Sequence, residues 1–494
     1  MIKRNALSNF LGRLWGIFSL FAFVPFYIHY LGNEGFGYIG FYNTLIALLA
    51  FADLGFSAAT TREFARFSNG TVEHENSRAD LLRTYEALYL ALCVLLALGI
   101  TSSAHWVAND WLVQSNSQVD TTFLVLLMGI SIVLQLPTNL YIGALMGGEQ
   151  QVLANGLQIG WGILRTAAVL PVLHYSESKL NAFFVWQILC NVIFLAVLYI
   201  VTWKRISFSK RSFNVQVLRN TYKYALGMAV IGILSAIATQ ADKLIISKKF
   251  TIEVVGQYSL AATLSLIPLI LITTLAKAVF PKLTRIKESG NSNNLNDFYS
   301  RLSKLACILI MPMSLVLAMY AYDIVYLWTN SSYIATQMQT VVYFLLLAQA
   351  IQALTVLPFH LTLSFAYIRI NLIFCILIML LIPALYFGWL RIYQVNGVAL
   401  SVLVTVLIIF IPYMYLVHKR LTAEIVWLWL KDSILTIIIS VVVIGLAKTY
   451  LYIPTGNIVL IALQAFWMWL VGLVLVSMII GLRSKQKFIS LIKL

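Results

Sequence analysis

Charge is scarce in this chain. Only 11% of its 494 residues are Asp, Glu, Lys or Arg, while 61% are hydrophobic, and the mean hydropathy is +0.88. A soluble domain of this length has no interior large enough for so much apolar side chain, so a water-soluble enzyme is excluded at the outset. Cysteine is scarce too. The four, Cys93, Cys190, Cys307 and Cys375, are far apart and all lie in apolar runs. They read as small core residues, not as a disulfide framework or a metal site. Motifs for chemistry are missing. There is no G-x-x-x-x-G-K-[ST], hence no ATP-driven engine within the chain, and no H-E-x-x-H or paired-cysteine motif. The six histidines, among them His29, His174 and His360, lack metal-ligand spacing and read as structural or interfacial. No outer loop collects acids and bases, and none carries a paired-Asp motif for a sugar-nucleotide metal. These absences argue against a membrane glycosyltransferase or polymerase. No metal and no cofactor is expected.

What is present is a series of apolar runs long enough to cross a bilayer. Fourteen stand out, at 10–31, 38–60, 84–104, 121–146, 152–174, 181–203, 222–246, 254–280, 303–322, 338–362, 370–390, 395–417, 432–450 and 457–481. None alternates apolar and polar residues as barrel strands would, so helices are expected. The first run is too long for a signal-peptide core and no small-residue cleavage site follows it, so it reads as a retained span.

The net charge of +16 is distributed by topology, which argues against nucleic-acid binding. With the N-terminus placed inside, about 25 of the 34 Lys and Arg fall on the cytoplasmic side, about five outside and about four within spans. The segments 62–83, 204–221, 282–304 and 418–431 and the tail from Arg483 are basic, whereas 105–120 and 323–337 hold no Lys or Arg. Both termini are therefore expected in the cytoplasm, with some of the excess facing anionic lipid headgroups.

The stretch LGNEGFGYIGFYNTLIALLAFADLGFSAATTREFAR, residues 31–66, organises the rest. It opens on a Gly-rich turn (Gly32, Gly35, Gly37), encloses one carboxylate, Asp53, and closes on Arg62 and Arg66. A weaker copy, EVVGQYSLAATLSLIPLILITTLAKAVFPKLTR, aligns Glu253, Gly256 and Arg285 with Glu34, Gly37 and Arg66, all three at one constant offset. Leu357 and Pro358 follow Leu136 and Pro137 in nearly the same register. The fold class expected is thus an all-α membrane protein of about fourteen helices. Two parallel-repeat lobes of six helices are joined by a cytoplasmic linker, with two appended C-terminal helices. The boundaries read 1–203, 204–221, 222–417 and 418–494.

Polar residues inside spans mark the candidate site, because each ionised group near the midplane costs roughly 2.5–3.5 kcal/mol. Gly12 and Gly16 in span 1 are one turn apart and suit close helix approach, and Arg13 lies beside them. In span 2, Asp53, Ser57 and Thr60 or Thr61 share a face. Span 4 has Gln135 and Asn139 around Pro137. Span 5 shows a stripe of Gln151, Asn155, Gln158, Gly162 and Arg165, with gaps of 4, 3, 4 and 3. Span 6 reads as apolar. Span 7 carries Ser235, Thr239 and Asp242 with Gln240 and Lys243 beside them, and span 8 carries Lys277. Cations outnumber acids, a balance suited to an anionic cargo, and Arg suits phosphate through its bidentate fork. The substrate-binding candidates are Arg13, Asn155, Gln158, Arg165, Lys243 and Lys277. The candidates for ion coupling or gating are Asp53 and Asp242.

The Gly-rich turn LGNEGFGYIG, the ADLGFS segment and the second-half element ADKLIISKKFTIEVVGQYSLA resemble polysaccharide transporters of the MOP flippase superfamily, above all Wzx-type O-antigen and capsule flippases. The resemblance spans most of the chain. It implies a bacterial inner-membrane protein that moves an undecaprenyl-diphosphate-linked oligosaccharide from the cytoplasmic to the periplasmic leaflet by alternating access. Coupling to a proton or sodium gradient is implied, as are membrane lipids, a polysaccharide polymerase and a chain-length regulator as partners. A lipid II flippase and a multidrug and toxin exporter of the same superfamily remain as alternatives. The exporter's cationic cargo would favour an acidic cavity, and twelve spans would be the usual number in that branch.

Overall fold

The computed structural model describes residues 2–53, 55–66, 72–113, 119–206, 213, 215–290, 292–365, 367, 369–421, 426–451 and 458–484. Every expected apolar run is predominantly helical within them. The only extended pairing among the described residues is an isolated bridge between Val113 and Thr251. The chain forms two compact units, Met1–Gly256 and Gln257–Leu494.

The first unit contains α1 (Ile2–Ala22), α2 (Val24–Leu49), α3 (Phe56–Arg66), α4 (Val72–Trp106), α5 (Thr121–Gly147), α6 (Gln151–Thr166), α7 (Val169–Tyr175), α8 (Lys179–Trp203), α9 (Val215–Lys249) and the opening turn of α10 (Ile252–Ser265). The expected Gly-rich turn reduces to one break. Gly32 takes φ +70°, a left-handed conformation open to glycine, whereas Gly35 and Gly37 lie in helical α2. Gly37 serves close approach instead. A Cβ there would strike the Ile252 carbonyl, and a Cβ on Gly256 would stand 2.7 Å from the Gly37 nitrogen. The two glycines matched by the sequence repeat thus pack against each other. Beside them the Asn33 amide donates to Glu253 Oε1 at 3.4 Å.

Span 2 is not continuous, contrary to expectation. A 3-10 turn covers Ala50–Asp53, Gly55 takes φ +72°, and α3 then starts afresh. The basic link 62–83 is also more helical than expected, because α3 continues to Arg66 and α4 begins at Val72. Leu82, Tyr85, Tyr89, Leu140 and Leu198 form the buried core among α3, α4, α5 and α8.

The second unit holds the rest of α10, then α11 (Ile267–Glu288), α12 (Ser292–Met319), α13 (Ala321–Thr329), α14 (Ser332–Ser364), α15 (Arg369–Leu385), α16 (Gln394–Leu421), α17 (Val426–Leu451) and α18 (Ile458–Ser484). Its core sets Leu302, Ile310, Leu354, Leu361, Met414 and Val417 together. The α17–α18 pair packs on α12 through Ile444 and Met468 against Val316 and Tyr320. The segment ESGNSNNLNDFYS, expected as a flexible loop, is mostly the start of α12. Its buried Leu295, Phe298 and Tyr299 supply the anchoring face that its Asn-rich composition conceals. The repeated prolines, Pro137 and Pro358, sit inside α5 and α14, and both helices run through them.

Among the described residues, eight helical stretches are long and apolar enough to cross a bilayer, or nine if Leu14–Ala22 and Val24–Leu49, bent by 43°, form one span. One of these stretches, Arg369–Leu421, contains both α15 and α16, two of the expected spans.

Candidate functional site

The polar interior of the first unit is assembled from α2, α5, α6 and α8. The α6 face carries Arg165 at its last turn. Its Nε donates to Gln187 Oε1 of α8, and the Gln187 amide returns a bond to the Arg165 carbonyl at 3.2 Å. The guanidinium carbon lies 5.2 Å from the Trp161 ring centre and 5.7 Å from that of Tyr42. Each such contact is worth about 0.5–2 kcal/mol, more as the cation loses water. Tyr42 and Ser131 share a hydroxyl–hydroxyl bond of 2.7 Å. The Gln135 amide donates to the Tyr42 oxygen at 2.9 Å. Asn191 donates to Ser131 Oγ at 2.9 Å and accepts from Trp161 Nε1 at 3.2 Å. Gln187, Asn191, Ser131 and Tyr42 are all buried.

This network holds Arg165 with amides, hydroxyls and rings, none of which neutralises it. No carboxylate lies within ion-pair distance among the described residues. The two terminal guanidinium nitrogens also make no hydrogen bond to those residues. A half-buried cation with open donors is arranged to receive an anion, and a phosphate matches its planar fork.

Asp53 occupies the break in span 2. Its Oδ2 accepts from the Ser57 hydroxyl at 2.6 Å and from the Ser57 backbone at 3.4 Å, which caps the restarted helix α3. Its Oδ1 accepts from the Tyr89 hydroxyl. Asp53 and Ser57 thus meet as expected, but across a cap rather than along one continuous helix. No Lys or Arg among the described residues forms an ion pair with Asp53.

The remaining candidates lie apart from Arg165. Asn155 is buried and donates to Asn9 Oδ1 at 2.5 Å, while the Asn9 amide donates to Gln151 at 3.3 Å. The first half of the α6 stripe is therefore spent on contact with α1, where Gly12 faces Asn155 and Trp15 faces Gly162. Gln158 bonds back to the Ala154 carbonyl at 3.4 Å. Lys243 donates to Gln240 at 3.0 Å within α9, and Asp242 is half-buried beside it. Lys277 is exposed in the middle of α11, in the second unit. The Arg13 side chain lies outside the described residues.

Sequence reading missed Gln187 and Asn191, because span 6 reads as apolar by average composition. Their i, i+4 spacing places both amides on one face of α8, and that spacing was the available signal.

The described residues form a multi-pass helical membrane protein whose first unit has a polar interior. Residues 30–338 match the family model of the polysaccharide biosynthesis protein Polysacc_synt_3, and the chain belongs to that family. It is 23% identical over 409 residues to a Shigella flexneri protein described as "Putative O-antigen transporter", covering 81% of this chain and 94% of the relative. It is also 23% identical over 301 residues to an uncharacterized membrane protein of Haemophilus influenzae, covering 60% of this chain and 68% of that one. Among solved structures, the lipid II flippase MurJ in an inward closed conformation matches with a TM-score of 0.74 at 15% identity, over 98% of this chain and 99% of its own. An inward-facing multidrug resistance MATE transporter of the MOP superfamily matches with a TM-score of 0.67 at 13% identity, over 84% and 98%. The family and its structural neighbours bear out the resemblance read from the Gly-rich and ADLGFS segments. They are transporters rather than enzymes.

Proposed function

We propose that this protein flips an undecaprenyl-diphosphate-linked oligosaccharide, a repeat unit of O-antigen, capsule or a related surface polysaccharide. The unit moves from the cytoplasmic to the periplasmic leaflet of a bacterial inner membrane, and both termini of the chain stay in the cytoplasm. The observation that carries this reading is Arg165, a cation that has no counter-charge among the described residues and keeps donors open. The diphosphate is the part of such a cargo that an arginine fork recognises. The family match and the Shigella flexneri relative support a polysaccharide cargo. In this reading the lobes 1–203 and 222–417 alternate in access, with Lys243, Lys277 and Arg13 as further cations toward the cargo. Asn155, bonded to Asn9 of α1, keeps the α6 face in place, and Gln158 extends that face toward the cargo. A proton or sodium ion at Asp53 or Asp242 biases one state over the other. A polymerase and a chain-length regulator act on the delivered unit.

The multidrug exporter alternative sits poorly with this site. A cationic drug would meet the Arg165 guanidinium, and like charges in a low-dielectric interior repel. A lipid II flippase would use the same diphosphate chemistry, so the glycan separates the two readings. The test is deletion of the gene in its native bacterium, followed by lipid extraction. Accumulated undecaprenyl-diphosphate-linked repeat units with loss of surface glycan, both reversed by the gene, are the expected result. Normal surface glycan with altered resistance to cationic drugs would transfer the function to the exporter alternative. Accumulated lipid II would transfer it to peptidoglycan synthesis.

A further inference from the structure

A second feature of the first unit stands outside the Arg165 network. Helices α4, α5 and α8 enclose an open groove of about 940 Å³, within the size of small-ligand sites. Most of its wall is apolar, with Leu90, Leu134, Val192, Leu195 and Ile200 among the lining residues. Leu90, Val192 and Ile200 are exposed there. Polar groups also enter the lining, and three donors converge on one carboxylate. Glu86 Oε1 accepts from Tyr141 at 2.9 Å and from Trp203 Nε1 at 2.7 Å, and its Oε2 accepts from Arg83 at 3.1 Å.

The two charges of that group are not equally available. The Glu86 side chain is 10% exposed and saturated by its donors, whereas the Arg83 side chain is 55% exposed. Only one Arg83 nitrogen is bonded to the described residues. An approaching headgroup therefore meets a guanidinium rather than a carboxylate. Position along α4 agrees. Arg83 ends the polar half of the helix, VEHENSRADLLR, and the apolar half starts within one turn. That is the depth of a lipid phosphate at the basic, inward side given by the loop charges.

We propose that this groove is a binding site for one acidic phospholipid, its phosphate on Arg83 and an acyl chain along α4, α5 and α8. The groove wall includes Tyr89, whose hydroxyl holds Asp53, so the bound lipid touches the side chain that secures the break in span 2.

The test uses the purified full-length protein in detergent and native mass spectrometry, with phosphatidylglycerol and phosphatidylethanolamine as probes. The wild type should retain one phosphatidylglycerol with about tenfold preference, the worth of one charge-assisted contact. Arg83→Gln, which keeps a donor for Glu86, should erase the preference, and Arg83→Lys should keep part of it. Ala196→Trp fills the exposed wall and should reduce retention of both lipids about tenfold. Equal retention of the two lipids by the wild type, or unchanged retention in Ala196→Trp, would overturn the proposal. Displacement of phosphatidylglycerol by undecaprenyl phosphate at equal concentration would also overturn it and give the groove to the cargo's tail.

Discussion

The two copies of the repeated unit share residues that shape the backbone and differ in the charges carried inside their spans. Gly37 and Gly256 are in direct backbone contact, and Pro137 and Pro358 both lie inside long helices. The first copy interrupts its span at Ala50–Gly55, whereas the second breaks earlier in the register of the repeat, at Leu266 between α10 and α11. The interruptions are chemically unlike. Asp53 stands in the first break, whereas Ile272, its counterpart in the register of the repeat, lies within continuous α11 and is buried in an apolar core. Arg165 faces a similar contrast. The positions that correspond to it in the second copy are Ala384, Leu385 and Tyr386, none of them charged. Conversely, Lys277 takes the place of Ala58. The matched glycines, prolines and the pairs Glu34/Glu253 and Arg66/Arg285 are thus repeated while the charges inside the spans are placed individually, which is expected when symmetry serves movement and asymmetry serves a cargo with one charged end.

Removing the charge that only the first copy carries should have the largest effect. Arg165→Gln should lower surface-glycan export by about 10- to 100-fold at equal protein level, the range of one or two lost charge-assisted contacts. Tyr386→Phe in the second copy should leave export unchanged. Comparable losses from both variants would dissolve the distinction between the copies.

The shared backbone contact comes next. Gly37→Leu forces a side chain into the Ile252 carbonyl and should destabilise the protein by about 1–3 kcal/mol, seen as a lower Tm. Gly16→Leu, with nothing within 4 Å of its Cβ position, is the control and should stay near the wild-type Tm. A Gly37→Leu protein as stable as the wild type would show that the repeated glycines are not needed as a pair.

Asp53→Asn sharpens the comparison of the interruptions. It keeps a cap acceptor for Ser57, so stability should change by only about 1 kcal/mol. Export driven by an imposed ion gradient should fall to the level seen without one. Ile272→Asn should do the opposite, lowering stability through a buried amide while any folded protein remains gradient-driven. The smallest effect is expected for Asn9→Ala, which removes one partner of Asn155. Helix–helix bonds of this kind average about 0.6 kcal/mol in membranes, so export should stay near wild type.

Much of the architecture was legible in the sequence, because apolar length and loop charge are local signals. The apolar runs, the repeat register and the α6 stripe all correspond to helices and faces in the structure. The breaks were less legible. Asp53 sits in an apolar run whose composition gives no sign of the 3-10 turn, and only Gly55 marks the restart of α3. The site was legible in half. Arg165 ends a visible stripe and Trp161 lies one turn before it, but its other direct holders, Tyr42 and Gln187, come from α2 and α8. Averaged hydropathy hid Gln187 and Asn191. The same stripe also carries Asn155, which is bonded to Asn9, and periodicity identifies a face without saying what it faces.

The most direct test of the Arg165 account is binding of undecaprenyl diphosphate by the purified full-length chain, comparing the wild type with Arg165→Gln and Arg165→Lys. The account predicts at least about tenfold weaker binding for Arg165→Gln and partial recovery for Arg165→Lys, because the charge returns without the planar fork. Equal affinity in all three, with Tm unchanged, would contradict it and show that the uncompensated arginine does not meet the diphosphate.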